Sequence, residues 1–289
     1  MFLLQSAKYL ACFAIFRRGS IVKMDEVLSS EAKEVFLYLA KQPEMSGFCL
    51  IGGTALALQV GHRRSQDLDF CLFDKKLNTR ALSSMLKRME SDRFNIRLAT
   101  SPSLISSSLI NGVDILDLAQ DYQINNTKVT FFARYDEPYQ FFSGFKRRIE
   151  PGSSFDVMGL EGLFSMKSHV IHKRLASRDL FDLKWFISNG RQIQEILDVA
   201  QKADLLCSPG HAVNVLTGKV PVGPLDEGLD AVGVTESLED IYVFFEEKVR
   251  EMETSIARAI KQERTCQICK KFPCGCGSGF RESGSSGPN

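Results

Sequence analysis

The chain has 289 residues, of which 44% are hydrophobic and 25% are charged, and its formal net charge is +1 at pH 7. This length suggests one large domain or two modest ones, with a sizeable hydrophobic core. A net charge near zero excludes a basic field over the whole surface, so contacts with nucleic acid must come from local clusters. The sequence contains no run of about eighteen apolar residues, so no membrane-spanning helix is expected.

The first predicted elements are an apolar extension and an amphipathic helix. Residues 1–23 lack the charged start and the small-residue cleavage pattern of a secretion signal. We interpret them as a helix that covers the domain, or as an extension upstream of a functional start at Met24. Ser29 and Ser30 precede an amphipathic pattern and predict that a helix begins there.

The most informative stretch, LIGGTALALQVGHRRSQDLDF, joins a Gly-Gly-Thr turn to an acidic strand. Asp67 and Asp69 project to the same side because successive strand residues alternate faces. Two carboxylates placed in this way can share one Mg²⁺, which prefers oxygen ligands and completes its shell with water and phosphate. Gly52 and Gly53 let the backbone approach phosphate, and a helix that begins near Thr54 offers free N–H groups to an anion. A solvated strand face or an ordinary turn explains either motif alone, but together they predict a nucleotide site.

The next elements alternate between helix and strand. The pattern predicts a surface helix at 77–91, a strand at FNIRLAT, a short strand near 113–118 and a strand at 128–135. Strands separated by helical patterns favour a mixed α/β arrangement. A helical period follows at 157–189, where Ser177 could begin a second helix.

Three elements are predicted in the last third of the chain. They are a helix at 191–202, a long loop at 208–234 that is rich in Gly, Pro and Val, and a helix from Ser237 to about Arg264. The expected packing side of this last helix comprises Leu238, Ile241, Phe244, Val249 and Ile256. The final stretch, GSGFRESGSSGPN, cannot bury a core, and disorder is predicted there.

The segment GLFSMKSHVIHKRLASRDLFDLKWF carries cations that could oppose the acidic pair. If it formed one helix, Lys167, Arg174 and Arg178 would share one side, with Asp182 at its edge. Such a side would offset the charge of a triphosphate and of the leaving pyrophosphate. The alternative is a basic, solvated helix face. Asp179 and Asp182 either orient the cations or, for Asp182, act on the acceptor; we favour orientation.

The turn before the acidic strand carries further polar candidates. Arg63 is expected to pin this turn through carboxylate contacts, and Ser65 to cap it or to bind a phosphate. A structural role is expected for His62. The basic run 146–148 is interpreted as a solvated loop.

The eight cysteines form two groups. The first group lies in apolar or isolated contexts, which is typical of small buried residues: Cys12, Cys49, Cys71 and Cys207. The second group has C-x₂-C-x₄-C-x-C spacing: Cys266, Cys269, Cys274 and Cys276. These four thiolates could enclose a structural Zn²⁺, and the alternative is a flexible, reduced tail. Without a secretion signal, the cytoplasm is the expected compartment.

The glycine turn, the stretch Gly61-His62-Arg63-Arg64-Ser65 and the Asp67/Asp69 pair resemble the AbiEii/AbiGii toxin family of nucleotidyltransferases, a branch of the DNA polymerase β-type superfamily. The lysine-bearing segment followed by Arg-Asp-x-x-Asp resembles a second motif of that family, in the same order. The resemblance covers roughly residues 30–190. It implies a mixed α/β (α+β) nucleotidyltransferase sheet flanked by helices and followed by a helical bundle.

The resemblance also implies an activity and partners. The activity is Mg²⁺-dependent transfer of a nucleotide from an NTP to an acceptor hydroxyl, with tRNA or another RNA as a candidate acceptor. The protein would be the toxin of a toxin–antitoxin or phage-defence pair, with a cognate antitoxin as its partner. The expected segments are an extension or covering helix at 1–23, the nucleotidyltransferase domain at 24–150, a helical domain completing the active-site cleft at 151–264, and a cysteine-containing tail at 265–289.

The predicted site residues fall into two sets. The predicted catalytic residues, of which the first two would also bind Mg²⁺, are Asp67, Asp69, Lys167 and Asp182. The predicted nucleotide-binding residues are Gly52, Gly53, Thr54, Arg63, Ser65, Arg174 and Arg178.

One residue departs from the superfamily pattern. These enzymes commonly carry a third carboxylate on a later strand, and its expected position here is Thr130. A hydroxyl is neither a comparable metal ligand nor a base. Three interpretations stay open: the site works with two carboxylates, its activity is reduced, or this strand alignment is wrong. The second functional hypothesis is therefore a nucleotide- or RNA-binding module that retains the fold.

Overall fold

The computed structural model describes most of the chain, with several gaps. The described ranges are 24–145, 147–149, 153–171, 176–203, 208–223 and 226–264. Predictions that fall on the N-terminal extension, Arg174, Cys12, Cys207 and the four tail cysteines therefore lie outside the described residues. Within the described ranges, no helix is both long and apolar enough to cross a membrane.

A mixed sheet of seven strands forms the centre of the described fold. The strands are β1 (Phe48–Ile51), β2 (Leu68–Leu72), β3 (Ile96–Leu98), β4 (Ala119–Ile124), β5 (Thr127–Ala133), β6 (Arg147–Ile149) and β7 (Asp156–Met158). Their order across the sheet is β3-β4-β5-β2-β1-β7-β6. The β2–β5 and β1–β7 pairs are parallel, and the other neighbouring pairs are antiparallel.

Helices flank this sheet and form most of the chain after it. In chain order they are α1 (Met24–Val27), α2 (Ser30–Leu39), α3 (Gly52–Val60), α4 (Thr79–Ser91), α5 (Pro102–Ile110), α6 (Glu137–Ser143), α7 (Leu160–Val170), α8 (Ser177–Ser188), α9 (Ile193–Ala203), α10 (Pro209–Leu216) and α11 (Leu238–Arg264). Short 3₁₀ helices lie at Pro43–Met45, Ile115–Asp117 and Asp230–Val232. The predicted helix start at Ser29 is confirmed, because its side chain accepts a hydrogen bond from the Ala32 N–H at 3.1 Å.

One face of the sheet carries an aromatic core. Leu68, Phe70 and Phe131 are fully buried on this face, as the alternation of β2 and β5 predicts. The Phe70 ring lies edge-on to Phe155 at 4.8 Å, and Phe155 in turn contacts Phe36 of α2 at 5.3 Å. Because Asp69 alternates with these residues, its side chain projects from the opposite face.

Several sequence predictions were wrong about local structure. The basic run at 146–148 was interpreted as a loop, but Arg147–Ile149 is the strand β6, and the helical pattern predicted from 157 starts inside β7.

The strand near 113–118 is a 3₁₀ helix, because the Asp114 side chain accepts a hydrogen bond from the Leu116 N–H at 3.0 Å and closes a turn. The loop at 208–234 contains α10, whose buried residues are Ala212, Val215 and Leu216. Their spacing is helical, and the Gly and Pro at the start of α10 concealed it because proline is favoured in the first turn of a helix.

The lysine-bearing segment is not one continuous helix. It forms α7 and α8, which end at Val170 and begin at Ser177. The predicted restart at Ser177 is confirmed, and the Asp226 side chain accepts a hydrogen bond from the Ser177 N–H at 3.1 Å. The prediction that these cations share one side of a single helix is therefore wrong. Asp182 instead approaches Lys167 from the next helix.

The last helix is confirmed at Leu238–Arg264, but its packing side needs correction. Phe245 is fully buried where Phe244 was expected, and the Ile256 side chain is exposed. The predicted division of the chain at residue 150 stays a prediction, and the sheet itself continues across this point because β7 pairs with β1.

Candidate active site

The acidic strand lies beside the glycine turn because of strand register. Asp69 in β2 is paired with Ile51, the residue that ends β1 and directly precedes the turn. Gly52 has a φ of +74°, a conformation that side chains rarely adopt. A Cβ on Gly52 would also lie 3.0 Å from Oδ2 of Asp69. The turn and the carboxylate are therefore packed against each other, as the sequence predicted.

Gly53 is needed for a reason that the sequence did not reveal. A Cβ at this position would overlap Nη2 of Arg63. The guanidinium of Arg63 therefore lies over the first turn of α3, where the helix also presents its unpaired N–H groups.

The hydroxyl groups of Thr54 and Ser65 contact each other inside the protein. Their oxygens are 2.7 Å apart, and Thr54 also donates to the backbone carbonyl of Asp67. Both residues are buried. These bonds fix the start of α3 against the approach to β2, while nucleotide contacts by Thr54 and Ser65 stay predictions.

Asp182 forms the centre of a buried cluster of charged side chains. Arg63 donates to both of its carboxylate oxygens, from Nε at 2.7 Å and from Nη2 at 3.0 Å. Lys167 Nζ lies 2.6 Å from Oδ2 of Asp182 and also contacts Asp179. His62 Nε2 is 2.7 Å from Oδ1 of Asp182. The Asp182 side chain has no exposed surface, so its geometry favours the expected orienting role.

The cluster shifts the pKa of Asp182 and burial shifts that of His62. Burial would raise the pKa of Asp182, but the charges of Lys167 and Arg63 and the hydrogen bond from His62 hold it well below its usual range. Burial lowers the pKa of His62, and the nearby Asp182 carboxylate does not restore it. Asp182 is therefore an anion and His62 is neutral. His62 accordingly donates its Nε2 proton to Asp182, as the expected structural role requires.

Arg178 connects the second helix of this segment to the acidic strand. Its Nη1 is 3.9 Å from Oδ2 of Asp67, and its Nη2 is 2.8 Å from Glu227. The Asp67 side chain is 33% exposed, so solvent and ligands can reach it. Of the predicted cations, the structure thus brings Arg63, Lys167 and Arg178 to one region with the acidic pair.

The chemistry of the donors fits Mg²⁺. Asp69 in β2 and Asp67 directly before that strand provide carboxylate oxygens, and Asp67 is partly open to solvent. Across the described residues, no three His, Cys, Asp or Glu side chains gather as a metal-binding group. Two protein carboxylates would leave ligand positions for water and phosphate, as is common for Mg²⁺.

Sequence reasoning missed Asp121, which lies close to Thr130. Asp121 is directly opposite Thr130 in the β4–β5 hairpin, and Thr130 Oγ1 donates to Asp121 Oδ1 at 2.8 Å. The Asn125-Asn126 pair could have revealed this pairing from the sequence, because such residues favour the two-residue hairpin turn seen here, in which both have positive φ. Such a turn pairs Ile124, the last residue of β4, with Thr127, the first residue of β5. Continuing this pairing along the two strands places Asp121 opposite Thr130.

The chain matches a known protein family. A family model described as nucleotidyl transferase AbiEii toxin, Type IV TA system, matches residues 35–211. Among solved structures, the chain is similar to JHP933 from Helicobacter pylori, with 18% identity, a TM-score of 0.43, and coverage of 80% of this chain and 99% of that one. It is also similar to the nucleotidyltransferase toxin MenT4 from Mycobacterium tuberculosis, with 15% identity, a TM-score of 0.39, and coverage of 75% and 85%. No curated protein matches the chain.

The mixed sheet, the glycine turn and the acidic strand define a nucleotidyltransferase fold, so the predicted fold class is confirmed. The matched region is more than half of the sequence. The chain belongs to the AbiEii nucleotidyltransferase toxin family.

Proposed function

We propose that the protein is an Mg²⁺-dependent nucleotidyltransferase that moves an NMP from an NTP to an acceptor hydroxyl. One observation carries this proposal: Arg63 links the glycine turn to Asp182, and Asp182 holds Lys167. This link holds two cationic side chains, Arg63 and Lys167, near the carboxylates of Asp67 and Asp69, which are both partly exposed. Such an arrangement suits a triphosphate, whose charge must be balanced while one phosphate group is transferred.

Each group in the site has a distinct role in the proposed reaction. The metal held by Asp67 and Asp69 would stabilise negative charge on the triphosphate and align it for attack. An ammonium group has three N–H donors. Among the described residues, Asp179 and Asp182 engage two donors of Lys167, which leaves one for a phosphate oxygen.

The transfer itself is an in-line displacement. The acceptor oxygen forms a bond to the α-phosphorus, the bond from that phosphorus to the pyrophosphate oxygen breaks, and the acceptor proton passes to water. Asp182 orients Lys167 and Arg63 through its two carboxylate oxygens. Arg178 approaches Asp67 from α8, where it can contact the phosphates.

The biological setting follows from the family. The matched description names a type IV toxin–antitoxin system, which favours a toxin role with a cognate antitoxin as partner. We propose RNA, and tRNA in particular, as the acceptor, and the cytoplasm as the compartment. A structural zinc site in the tail stays a proposal, because its cysteines lie outside the described residues.

The second candidate function is a nucleotide- or RNA-binding module without catalysis. It is favoured by the residue opposite Asp69, which is Thr130 where the superfamily commonly has a third acid. This module would bind nucleotide with Mg²⁺ but would transfer none of it.

A labelling assay separates the two functions. The protein is incubated with each labelled NTP, Mg²⁺ and either total RNA or total protein, and the wild type is compared with Asp69→Ala. The matched control is Asp74→Ala, which removes an exposed carboxylate from the turn just after the same strand. Label should enter RNA with the wild type and the control but not with Asp69→Ala. Nucleotide binding without incorporation, for all four NTPs and for RNA and protein acceptors, would support the binding module instead.

A further inference from the structure

A row of three polar side chains crosses three neighbouring strands on the open face of the sheet. Asp69 of β2 is paired with Thr130 of β5, and Thr130 is paired with Asp121 of β4. Residues that are directly paired project to the same side of a sheet. Because adjacent strands are about 4.8 Å apart, Asp121 lies roughly 10 Å from Asp69, with Thr130 between them.

The backbone N–H and carbonyl of Asp121 both form hydrogen bonds to the residues just after the edge strand β3. Its N–H donates to Oγ1 of Thr100 at 2.9 Å. Its carbonyl accepts from the Ala99 N–H at 2.7 Å and from the Thr100 N–H at 3.3 Å. Thr100 is buried. The Asp121 carboxylate is therefore placed by a rigid part of the sheet, and a placed acceptor determines where the Thr130 hydroxyl points.

The direction of the Thr130 hydroxyl decides which ligands it can bind. Its proton is donated to Asp121 at 2.8 Å, so its oxygen has only lone pairs for other partners. A phosphate oxygen needs a donor and is a poor partner for such an oxygen. A hydroxyl that still carries its proton is a good partner. Thr130 is half-buried and directly neighbours Asp69, so this oxygen lies beside the proposed metal ligands.

Asp121 itself does not join the acidic pair. Within the described part of the chain, no three carboxylates gather as a metal-binding group, and Asp121 lies two strand spacings, roughly 10 Å, from Asp69. Its contact with the site runs through the Thr130 hydroxyl. Asp121 thus lies one strand further from Asp69 than the position expected for a third acid. The Thr130 hydroxyl lies between the two carboxylates.

We propose that Thr130 is a catalytic residue that accepts a hydrogen bond from the attacking acceptor hydroxyl, and that Asp121 is the positioning residue that directs it. This inference rests on the proposed nucleotidyl transfer and deepens it. Thr130 and Asp121 together would align the attacking oxygen beside Asp69. The pair would have no part in holding the triphosphate, because Thr130 offers it no donor.

The test compares two pairs of variants by steady-state transfer of labelled nucleotide. Thr130→Val and Asp121→Ala remove the hydroxyl or its acceptor, whereas Thr130→Ser and Asp121→Asn keep an equivalent oxygen. The matched control is Gln123→Ala, on the same strand and face as Asp121 but opposite Lys128. Equilibrium binding of Mg²⁺ with a non-hydrolysable NTP and thermal melting are measured for every variant.

We expect Thr130→Val and Asp121→Ala to lower kcat by about 10-fold, the effect of losing or misdirecting one hydrogen bond to the attacking hydroxyl. Thr130→Ser, Asp121→Asn and the control should stay within about fivefold of the wild type, as a loss below 1 kcal/mol allows. Binding of the NTP should be unchanged in all of them. Wild-type kcat in Thr130→Val and Asp121→Ala, or equal losses of NTP affinity and kcat, would overturn the inference.

A double variant covers the case in which a single variant unfolds. Thr130→Val with Asp121→Leu removes both partners, so no half-buried carboxylate is left without its hydrogen bond. This protein should fold and bind NTP but transfer nucleotide slowly, and normal transfer would contradict the inference. Absence of transfer by the wild type would overturn the proposed function and this inference with it, whereas wild-type transfer with an unaffected double variant would overturn the inference alone.

Discussion

The guanidinium of Arg63 lies where a side chain on Gly53 would begin. This relationship explains two features of the sequence together, the second glycine of the turn and the arginine ten positions later. Arg63 is held over the helix start by its paired hydrogen bonds to Asp182. The glycine turn, the turn before β2 and α8 are thus connected through one side chain.

Gly53→Ala should displace Arg63 and weaken both folding and transfer. Overpacking of this kind costs about 1–3 kcal/mol, and the better helix propensity of alanine offsets about 1 kcal/mol of it. We expect a lower free energy of unfolding in urea and a clear loss of nucleotide transfer. The matched control is Gly223→Ala, where an added Cβ meets nothing within 4 Å. Equal stability of the Gly53 variant and the control would show that Arg63 does not need this space.

Arg63→Met should be much more destabilising than a comparable change at the surface. The Arg63 side chain is 3% exposed, and its loss leaves the Asp182 charge buried with fewer partners. The expected decrease in the free energy of unfolding is about 3 kcal/mol. Arg88→Met breaks the exposed ion pair with Glu44 and should cost less than about 1 kcal/mol. Urea unfolding of the two variants measures this difference, and similar losses would contradict a central role for the Asp182 cluster.

His62 should make the stability of the protein depend on pH. Its pKa is lowered by burial, so below pH about 6.5 the unfolded chain takes up a proton that the folded protein does not. Stability is therefore complete above this pH and is lost as the pH falls, by up to about 1.4 kcal/mol per pH unit for one proton.

His62→Gln tests this dependence, because glutamine can still donate to Asp182 but does not titrate. Between pH 7 and pH 5 the free energy of unfolding should fall less in His62→Gln than in the wild type. The other histidines are common to both proteins, so their contributions cancel. A parallel decline in the two proteins would mean that His62 titrates normally in the folded state.

The sequence was sufficient to predict elements whose cause is local. Alternation along β2 predicted that Asp69 and Phe70 project from opposite faces of the sheet, and Ser29 identified a helix start. The glycine turn and acidic strand were also recognised together, because they lie close in the sequence and register brings Ile51 beside Asp69.

Features that depend on tertiary contacts were not predictable in the same way. A helical period cannot show that α7 ends at Val170, so Lys167 and Asp182 were placed along one helix instead of facing each other from two. The need for Gly53 depends on a distant guanidinium. Asp121 is different, since the Asn125-Asn126 turn carried enough information to pair it with Thr130.

The most direct measurement for the proposed function is a crystal structure with Mg²⁺ and a non-hydrolysable NTP. The account predicts a metal ion bound by Asp67 and Asp69, with the triphosphate between the Gly52-Gly53 turn and the Lys167 ammonium. A nucleotide bound elsewhere, or a metal held without either carboxylate, would contradict it.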